Sequence, residues 1–541
     1  MQAFNPGDLW LILPEIVLGV SILTLIVGDL ALRDPRWKRW LLTPLALIGL
    51  FATAAAVTDL SGALFSGELQ PTGAFTNQVA IDPIGTFFKL LFLAVTVVGV
   101  LTSLISKELP DRHMGEYYAL LLCITFGMFL MASANDLLMI YLGVEMVSIV
   151  SYAMAGYRLH DKRSSEAALK YVLFGGVASG LMLFGISLFY GLFGTLELTE
   201  INTALSAWTA EQFTASVGVE TKIFPLTVLL SLVFIFAGIG YKIAVVPFHM
   251  WSPDVYEGAP TPFTGFLSVG PKAAGFALLM RFFIGAFVHP GGESGFMTDS
   301  RGFMDLAIDL PLPAMIGIIA AATMTLGNLA AIPQNNVKRL LAYSSIAHAG
   351  YLLMGFVVLS ESAMHAVVLY LVIYYVMNIG AFTVCAAVRD RTGGESLQDF
   401  RGLGSREPML AVAMVIFLLS LTGLPPLAGF IGKFYLFAAI IEHGGTWYWV
   451  LALIAIVNSA ISLYYYMRVA RAMFFTAPAR DEPLRAGAGY LTVTAMLALP
   501  VLILGLYWAP LSRSVRESIV FYRSHQPARV AIEPPRMQRD R

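Results

Sequence analysis

Apolar residues in this chain fall into long runs broken by short polar connections, without the alternation of half-buried strands or the one-sided stripe of a water-soluble helix. Fourteen such runs lie near 9–32, 40–61, 84–106, 116–133, 136–156, 165–193, 224–251, 262–288, 311–332, 337–358, 363–388, 408–443, 446–472 and 489–510. About 20 apolar residues at a rise of about 1.5 Å each cover the roughly 30 Å hydrocarbon core of a bilayer. Each run therefore predicts a spanning helix, and together they predict an all-α polytopic membrane protein of about fourteen transmembrane helices. The first run has no Lys or Arg ahead of it and is long enough to span, which predicts a retained helix in place of a cleaved leader.

Two runs are too long for one straight span and are interrupted. The seventh carries Pro247, and the twelfth carries Gly423, Pro425, Pro426 and Gly429. Proline removes an intrahelical hydrogen bond and frees the carbonyl one turn earlier, so helices 7 and 12 are expected to be broken. They stand five helices apart, and an odd offset in a serpentine chain turns the second copy upside down. This predicts two inverted five-helix repeats, helices 4–8 and 9–13, the arrangement in which transporters place an ion pathway at paired broken helices. The chain then divides into a three-helix segment (1–110), a first repeat (111–290), a second repeat (305–475), and a last helix with an Arg-rich tail (476–541).

Composition agrees: of 541 residues, 57% are hydrophobic and 13% charged, about half the usual charged share. A net charge of −1 with no basic stripe gives nucleic acid nothing to bind. Cys123 and Cys385 sit in apolar runs with no metal-ligand spacing, and no glycine-rich phosphate loop follows a strand pattern, so neither metal nor nucleotide binding is expected. The basic residues alternate. Arg33, Arg36, Lys38 and Arg39 follow the first run, Lys107 and Arg112 the third, and Arg158, Lys162 and Arg163 the fifth. Lys338 and Arg339 follow the ninth run; Arg389, Arg391, Arg401 and Arg406 the eleventh; Arg468, Arg471, Arg480 and Arg485 the thirteenth. The other connections hold little beyond Lys222 and Arg301. The positive-inside rule then places the odd connections in the cytoplasm and the N-terminus outside. Two stretches disobey: 252–262 should be inside yet has no basic residue, and the tail should be outside yet holds Arg513, Arg516, Arg523, Arg529, Arg536, Arg539 and Arg541.

An ionisable group near the bilayer centre costs roughly 2.5–3.5 kcal/mol on insertion scales, so each one is a candidate for function. Glu145 lies about nine residues into its run, roughly 14 Å along a helix, with no basic residue at i±3 or i±4; its partner must come from another helix. Lys242 precedes the break at Pro247, Lys433 follows the break at Pro425 and Pro426, and Lys272 and His348 are central in their runs. At each break the ammonium and the freed carbonyls are expected to satisfy one another. A buried Lys and a buried Glu within about 4–6 Å stabilise each other's charge, so the set reads as a switchable proton relay, Glu145, Lys242, His348, Lys272 and Lys433, or as ion-pair staples. His348 reads equally as a core histidine bonded to a carbonyl. Lys89, Glu15, Arg281 and Lys338, nearer the run ends, are expected to be interfacial anchors.

These residues resemble a known family, the antiporter-like membrane subunits of respiratory complex I, the proton-pumping NADH:quinone oxidoreductase. The resemblance covers about helices 4 to 13. "KIAVVPFHMWSPDVYEGAPTPFTGFLSVGPKAAGFALLMR" is similar to the signature of the N-type members. Other members and Mrp-type cation antiporter subunits share the broken helix but carry a histidine further on, where this chain reads "SVGPKAAG". The M-type subunits have a glutamate at the place of Lys433. Position by position, the resemblance makes Glu145 the fifth-helix glutamate, Lys242 the lysine of the broken seventh helix, Lys272 the connecting lysine of the eighth and Lys433 the lysine of the broken twelfth. It implies a fourteen-helix fold with both termini outside and a proton-translocating, non-redox subunit of the enzyme. No cofactor is expected in this chain, with NADH, flavin, iron-sulfur clusters and quinone held by partner subunits. Expected partners are the other membrane-arm subunits and lipid. The alternative is a subunit of an Mrp-type sodium/proton antiporter; a scaffold with no conduction path would leave Lys242, Lys272 and Lys433 unexplained.

Overall fold

The computed structural model describes residues 8–207, 223–287, 312–478 and 482–524. Lys222, Arg301, Arg480, the tail from 525 onward, part of the 196–221 connection and the proposed 290/305 boundary lie outside the described residues.

Among the described residues, thirteen helices are long and apolar enough to cross a membrane. The chain enters through α1 (Leu13–Ala31) and α2 (Pro35–Ser66). A small hairpin follows, β1 (Thr72–Ala74) paired antiparallel with β2 (Val79–Ile81), Thr72 opposite Ile81. Next come α3 (Pro83–Ile105), α4 (Met114–Ser133), α5 (Leu137–Ala155) and α6 (Lys162–Phe193). The helix starts follow from local chemistry: Asp82, Asp136 and Asp161 each accept backbone N–H groups that have no partner within the helix.

The seventh run is broken as expected. α7 (Ile223–Ile243) stops four residues before Pro247, and the chain turns before the short α8 (Trp251–Gly258). Ala244 sits at φ 59°, a left-handed conformation that side chains avoid, two residues after Lys242. A break that was not expected divides the eighth span into α9 (Thr261–Leu267) and α10 (Gly270–Phe287). Pro271 explains it, since its missing N–H cannot reach the Leu267 carbonyl. The second half runs through α11 (Leu312–Ala331), α12 (Val337–Val358) and α13 (Glu361–Thr392). The remaining predicted span, 408–443, is two shorter helices, α14 (Pro408–Thr422) and α15 (Ala428–His443), followed by α16 (Thr446–Phe475), α17 (Ala488–Leu506) and α18 (Ala509–Ser524).

The odd connections bond to one another at one end of the bundle. Arg39 donates to the carbonyls of Leu104 (2.9 Å) and Leu109 (2.6 Å), Lys107 N to Asp390 (2.9 Å), and Arg468 to Asn335 (3.0 Å). Even connections meet at the other end, where Leu137 N donates to Leu196 O (2.9 Å) and Asn135 N to Gln78 O (3.0 Å). The loop that broke the charge rule, 252–262, is no water-filled loop. It is the buried α8, and its Asp254 and Glu257 meet Lys170, Arg163 and Arg339 from α6 and α12. Its missing basic residues are supplied by neighbours. The tail begins as α18, which packs on α3 and α13 at the even end and buries Val515 and Ile519 while Arg513 and Arg516 point outward. The tail therefore does not betray a miscounted span.

The periphery, α1 and α6, turns most of its surface outward, whereas α9–α10, α12 and α13 are almost wholly enclosed. The enclosed helices carry Lys272, Lys338 and His348.

Candidate functional site

The lysines near both breaks and the one between them all point inward: Lys242, Lys272 and Lys433 are 2–3% exposed and His348 is 1% exposed. Each ammonium has named acceptors, as a buried charge requires.

Lys242, in the last turn of α7 where a cation suits the helix dipole, donates to Ser148 Oγ at 3.1 Å. Ser148 lies one turn beyond Glu145 on α5. Glu145 forms no ion pair with Lys242 within 4.0 Å, yet it is the carboxylate whose field acts on that lysine. One Glu145 oxygen is buried with no hydrogen-bond partner. The expected mutual satisfaction of ammonium and freed backbone does not occur at this break: Ser148 takes the ammonium, and the Trp251 indole N–H donates to the Tyr241 carbonyl at 3.0 Å. Trp251 opens α8, which packs on α6 and α12.

At the second break the expectation holds. Lys433 Nζ donates to Thr422 O (2.8 Å), the last residue of α14, and to Ser459 Oγ (2.9 Å) on α16. It also stands 4.6 Å from the centre of the Tyr351 ring, whose face attracts a cation.

Lys272, in the first turn of α10, donates to the carbonyl and hydroxyl of Ser345 on α12. α7 and α10 pack together, and a Cβ at Gly275, one turn past Lys272, would meet Ile243 at 2.5 Å and the Lys242 stem at 3.7 Å. From Ser345 a file of aromatic side chains leads to Lys433. Tyr374 OH donates to Ser345 Oγ (2.8 Å), and the Tyr374 ring lies 5.1 Å from that of His348. His348 Nδ1 pairs with Tyr370 OH (2.6 Å), its Nε2 faces Tyr466 OH (3.4 Å), and its ring abuts Tyr351, over which Lys433 sits. His348 is thus bonded to hydroxyls and not to a backbone carbonyl.

Tyr351, Tyr370, Tyr374 and Tyr466 escaped the sequence reading because a tyrosine in an apolar run looks like core. The i, i+4 spacing of Tyr370 and Tyr374, with Asn378 one turn further, was the available signal. The residues read as interfacial anchors are also corrected. Lys89 and Glu15 form a buried pair at 2.6 Å, Arg281 grips buried Asp82 with both terminal nitrogens, and Lys338 meets Glu395 at 3.1 Å. Sequence distance hid these pairings. Among the described residues no group of three or more His, Cys, Asp or Glu side chains is placed to hold a metal ion.

Residues 134–462 match the family described as NADH:quinone oxidoreductase/Mrp antiporter, TM. The chain is similar to NADH-quinone oxidoreductase subunit N of Anaeromyxobacter sp. (strain Fw109-5), with 48% identity over 94% of this chain and 96% of the relative. It is also similar to subunit N 2 of Sorangium cellulosum (strain So ce56), at 44% identity over 96% and 99%. Among solved structures, a chain of respiratory complex I from Thermus thermophilus with bound aureothin superposes with a TM-score of 0.71 at 30% identity, covering 93% of this chain and 99% of that one. A chain of the Mrp complex from Dietzia sp. DQ12-45-1b reaches 0.76 at 19% identity, covering 96% and 99%, a likeness of fold alone.

Proposed function

Because this chain belongs to the NADH-quinone oxidoreductase subunit N family, we propose that Glu145, Lys242, Lys272, His348 and Lys433 form its proton relay, by which it translocates protons as a membrane-arm subunit of that enzyme. The observation that carries this reading is the succession of buried polar side chains from Lys272 to Lys433, hydrogen-bonded from Lys272 through Ser345 to Tyr374 and in ring contact from Tyr374 through His348 and Tyr351 to Lys433. A staple would need an opposing carboxylate for each lysine. Lys272 and Lys433 have carbonyls and hydroxyls instead, and the hydroxyls of Ser345 and Ser459, which both donate and accept, can pass a proton along a chain.

Lys242 and Glu145 form the switching end. An ammonium beside a carboxylate keeps its proton, and one that loses that field in a dry interior gives it up more readily. With Ser148 between them, a small shift of α5 against α7 changes the field at Lys242. Pro247 and the Pro425–Pro426 pair keep both helices broken, which lets Lys242 and Lys433 meet polar groups inside the bundle. Helices 4–8 and 9–13 act as the two inverted halves, with Lys272 between them. The odd end faces the cytoplasm of a bacterial cell and the N-terminus lies outside. NADH, flavin, iron-sulfur clusters and quinone bind in partner subunits, and this chain performs no redox step.

Lys242→Ala and Glu145→Ala, each in the intact complex in its membrane, should depress proton pumping coupled to quinone reduction. NADH oxidation by an artificial acceptor should persist, since that chemistry lies elsewhere. Wild-type pumping in both variants would remove the switch.

A further inference from the structure

The relay above makes no use of Lys338, although this lysine is completely buried at the odd end. It sits in the first turn of α12, where the helix dipole opposes a cation, so its neighbours must hold it. They are Glu395 at 3.1 Å and the carbonyls of Ala259 (2.8 Å) and Glu257 (3.3 Å) at the end of α8. Arg389 also bonds Glu395 and lies 3.4 Å from Glu108, Arg158 lies 3.8 Å from Glu108, and the Cys385 thiol is within the field of Lys338. Arg158 and Arg389 are 13% and 17% exposed, so the cluster touches the protein's edge while Lys338 stays inside it.

Seven residues along the same face of α12, about 10 Å at the helical rise, stands Ser345, the acceptor for Lys272. Polar groups of α8 and its neighbours accompany this stretch. Ser252 Oγ and Thr261 Oγ1 are buried without a partner, and Thr261 N donates to Glu108 at 3.1 Å. Tyr256 OH faces Ser345 and Ser252 without a well-formed bond to either. On α13, Asn378 donates to Ser268 (2.7 Å) and leaves its own carbonyl oxygen unpaired. Buried polar atoms are seldom left unpaired, and groups so arranged are where bridging water bonds.

We propose that Lys338, with Glu395 and Glu108, is a further relay residue, taking up protons at the odd end and passing them through Tyr256 and Ser345 to Lys272. The step moves one proton. The Lys338 ammonium releases it into the hydroxyl and water file, the Lys272 amine receives it, and the Lys338 amine is reprotonated through the Glu395 carboxyl. This branch reaches the central lysine between the two broken helices without passing Lys242. It rests on the reading of Lys272 as a relay group.

The competing role is a lock, in which Lys338 only caps α8. Lys338→Arg separates the two, because a guanidinium keeps charge and donors but does not release its proton. In the intact complex in its own membrane, Lys338→Arg should lower pumping per electron pair to the level of Lys272→Ala, with artificial-acceptor activity unchanged. Tyr256→Phe, which keeps the packing, should slow pumping as well and decides the matter if Lys338→Arg does not assemble. Wild-type pumping in an assembled Lys338→Arg complex, or in Tyr256→Phe, overturns the branch. If Lys272→Ala itself pumps normally, the relay reading fails first.

Discussion

At Gly423 the backbone turns at φ 90°, and a Cβ there would lie 2.8 Å from Cδ of Lys433. Both facts demand glycine: a left-handed residue with a side chain costs roughly 1–2 kcal/mol, and the space belongs to the lysine. Gly423→Ala should therefore push the ammonium off Thr422 O and lower pumping toward the level of Lys433→Ala. Ser459→Ala leaves Thr422 O in place and should have a much smaller effect; equal rates for the two would show that the ammonium's position does not matter. The buried pair of Arg281 and Asp82 obeys a different rule. Asp82→Ala takes the carboxylate from a buried guanidinium, a loss of roughly 3–5 kcal/mol, so the subunit should melt markedly earlier in a thermal scan of the purified complex. Asp82→Ser with Arg281→Met, which keeps a hydroxyl to cap α3, should recover most of that, and no recovery would mean that the charges have a further task.

Helices and their breaks were legible in the chain because they follow from local chemistry: run length, the missing N–H of proline, and capping by Asp82 or Asp136. The break before Gly270 was overlooked although Pro271 was its plain sign, because the run 262–288 was short enough to span unbroken. What could not be read was pairing across the fold. Nothing near Asp254 in sequence announces Lys170 and Arg339, and nothing near Lys272 announces Ser345 or Tyr374. Positions 145, 242, 272, 348 and 433 were legible because charge in an apolar run is costly, whereas tyrosines are ordinary there. Element ends carry their own test. With Cys123 and Cys385 replaced, Gln398→Cys on the α13–α14 connection should label from the cytoplasmic face, and Thr203→Cys on the even end from the opposite face. Labelling of both from one side would contradict the alternation of ends that the backbone bonds describe.

The whole molecule shares its fold with a chain of the Mrp complex, so fold alone cannot say which ion moves. The buried ionisable groups bear on it. A sodium ion needs oxygen ligands and is repelled by ammonium groups, while three of the residues proposed as carriers, Lys242, Lys272 and Lys433, are buried amines that take up a proton and offer sodium no oxygen. Glu145, proposed as the switching carboxylate, belongs among the described residues to no cluster of carboxylates placed to hold a cation. A sodium path would have to cross from that region to Lys433 through Ser345, Tyr374 and His348, where the cationic lysines at both ends raise a barrier to it. Pumping by the complex should therefore be unchanged when sodium is replaced by potassium or choline at constant ionic strength. The gradient formed should be collapsed by a protonophore and left intact by a sodium ionophore. If removing sodium abolishes charge movement while quinone reduction continues, the lysine file is not the conducting path, whatever the family.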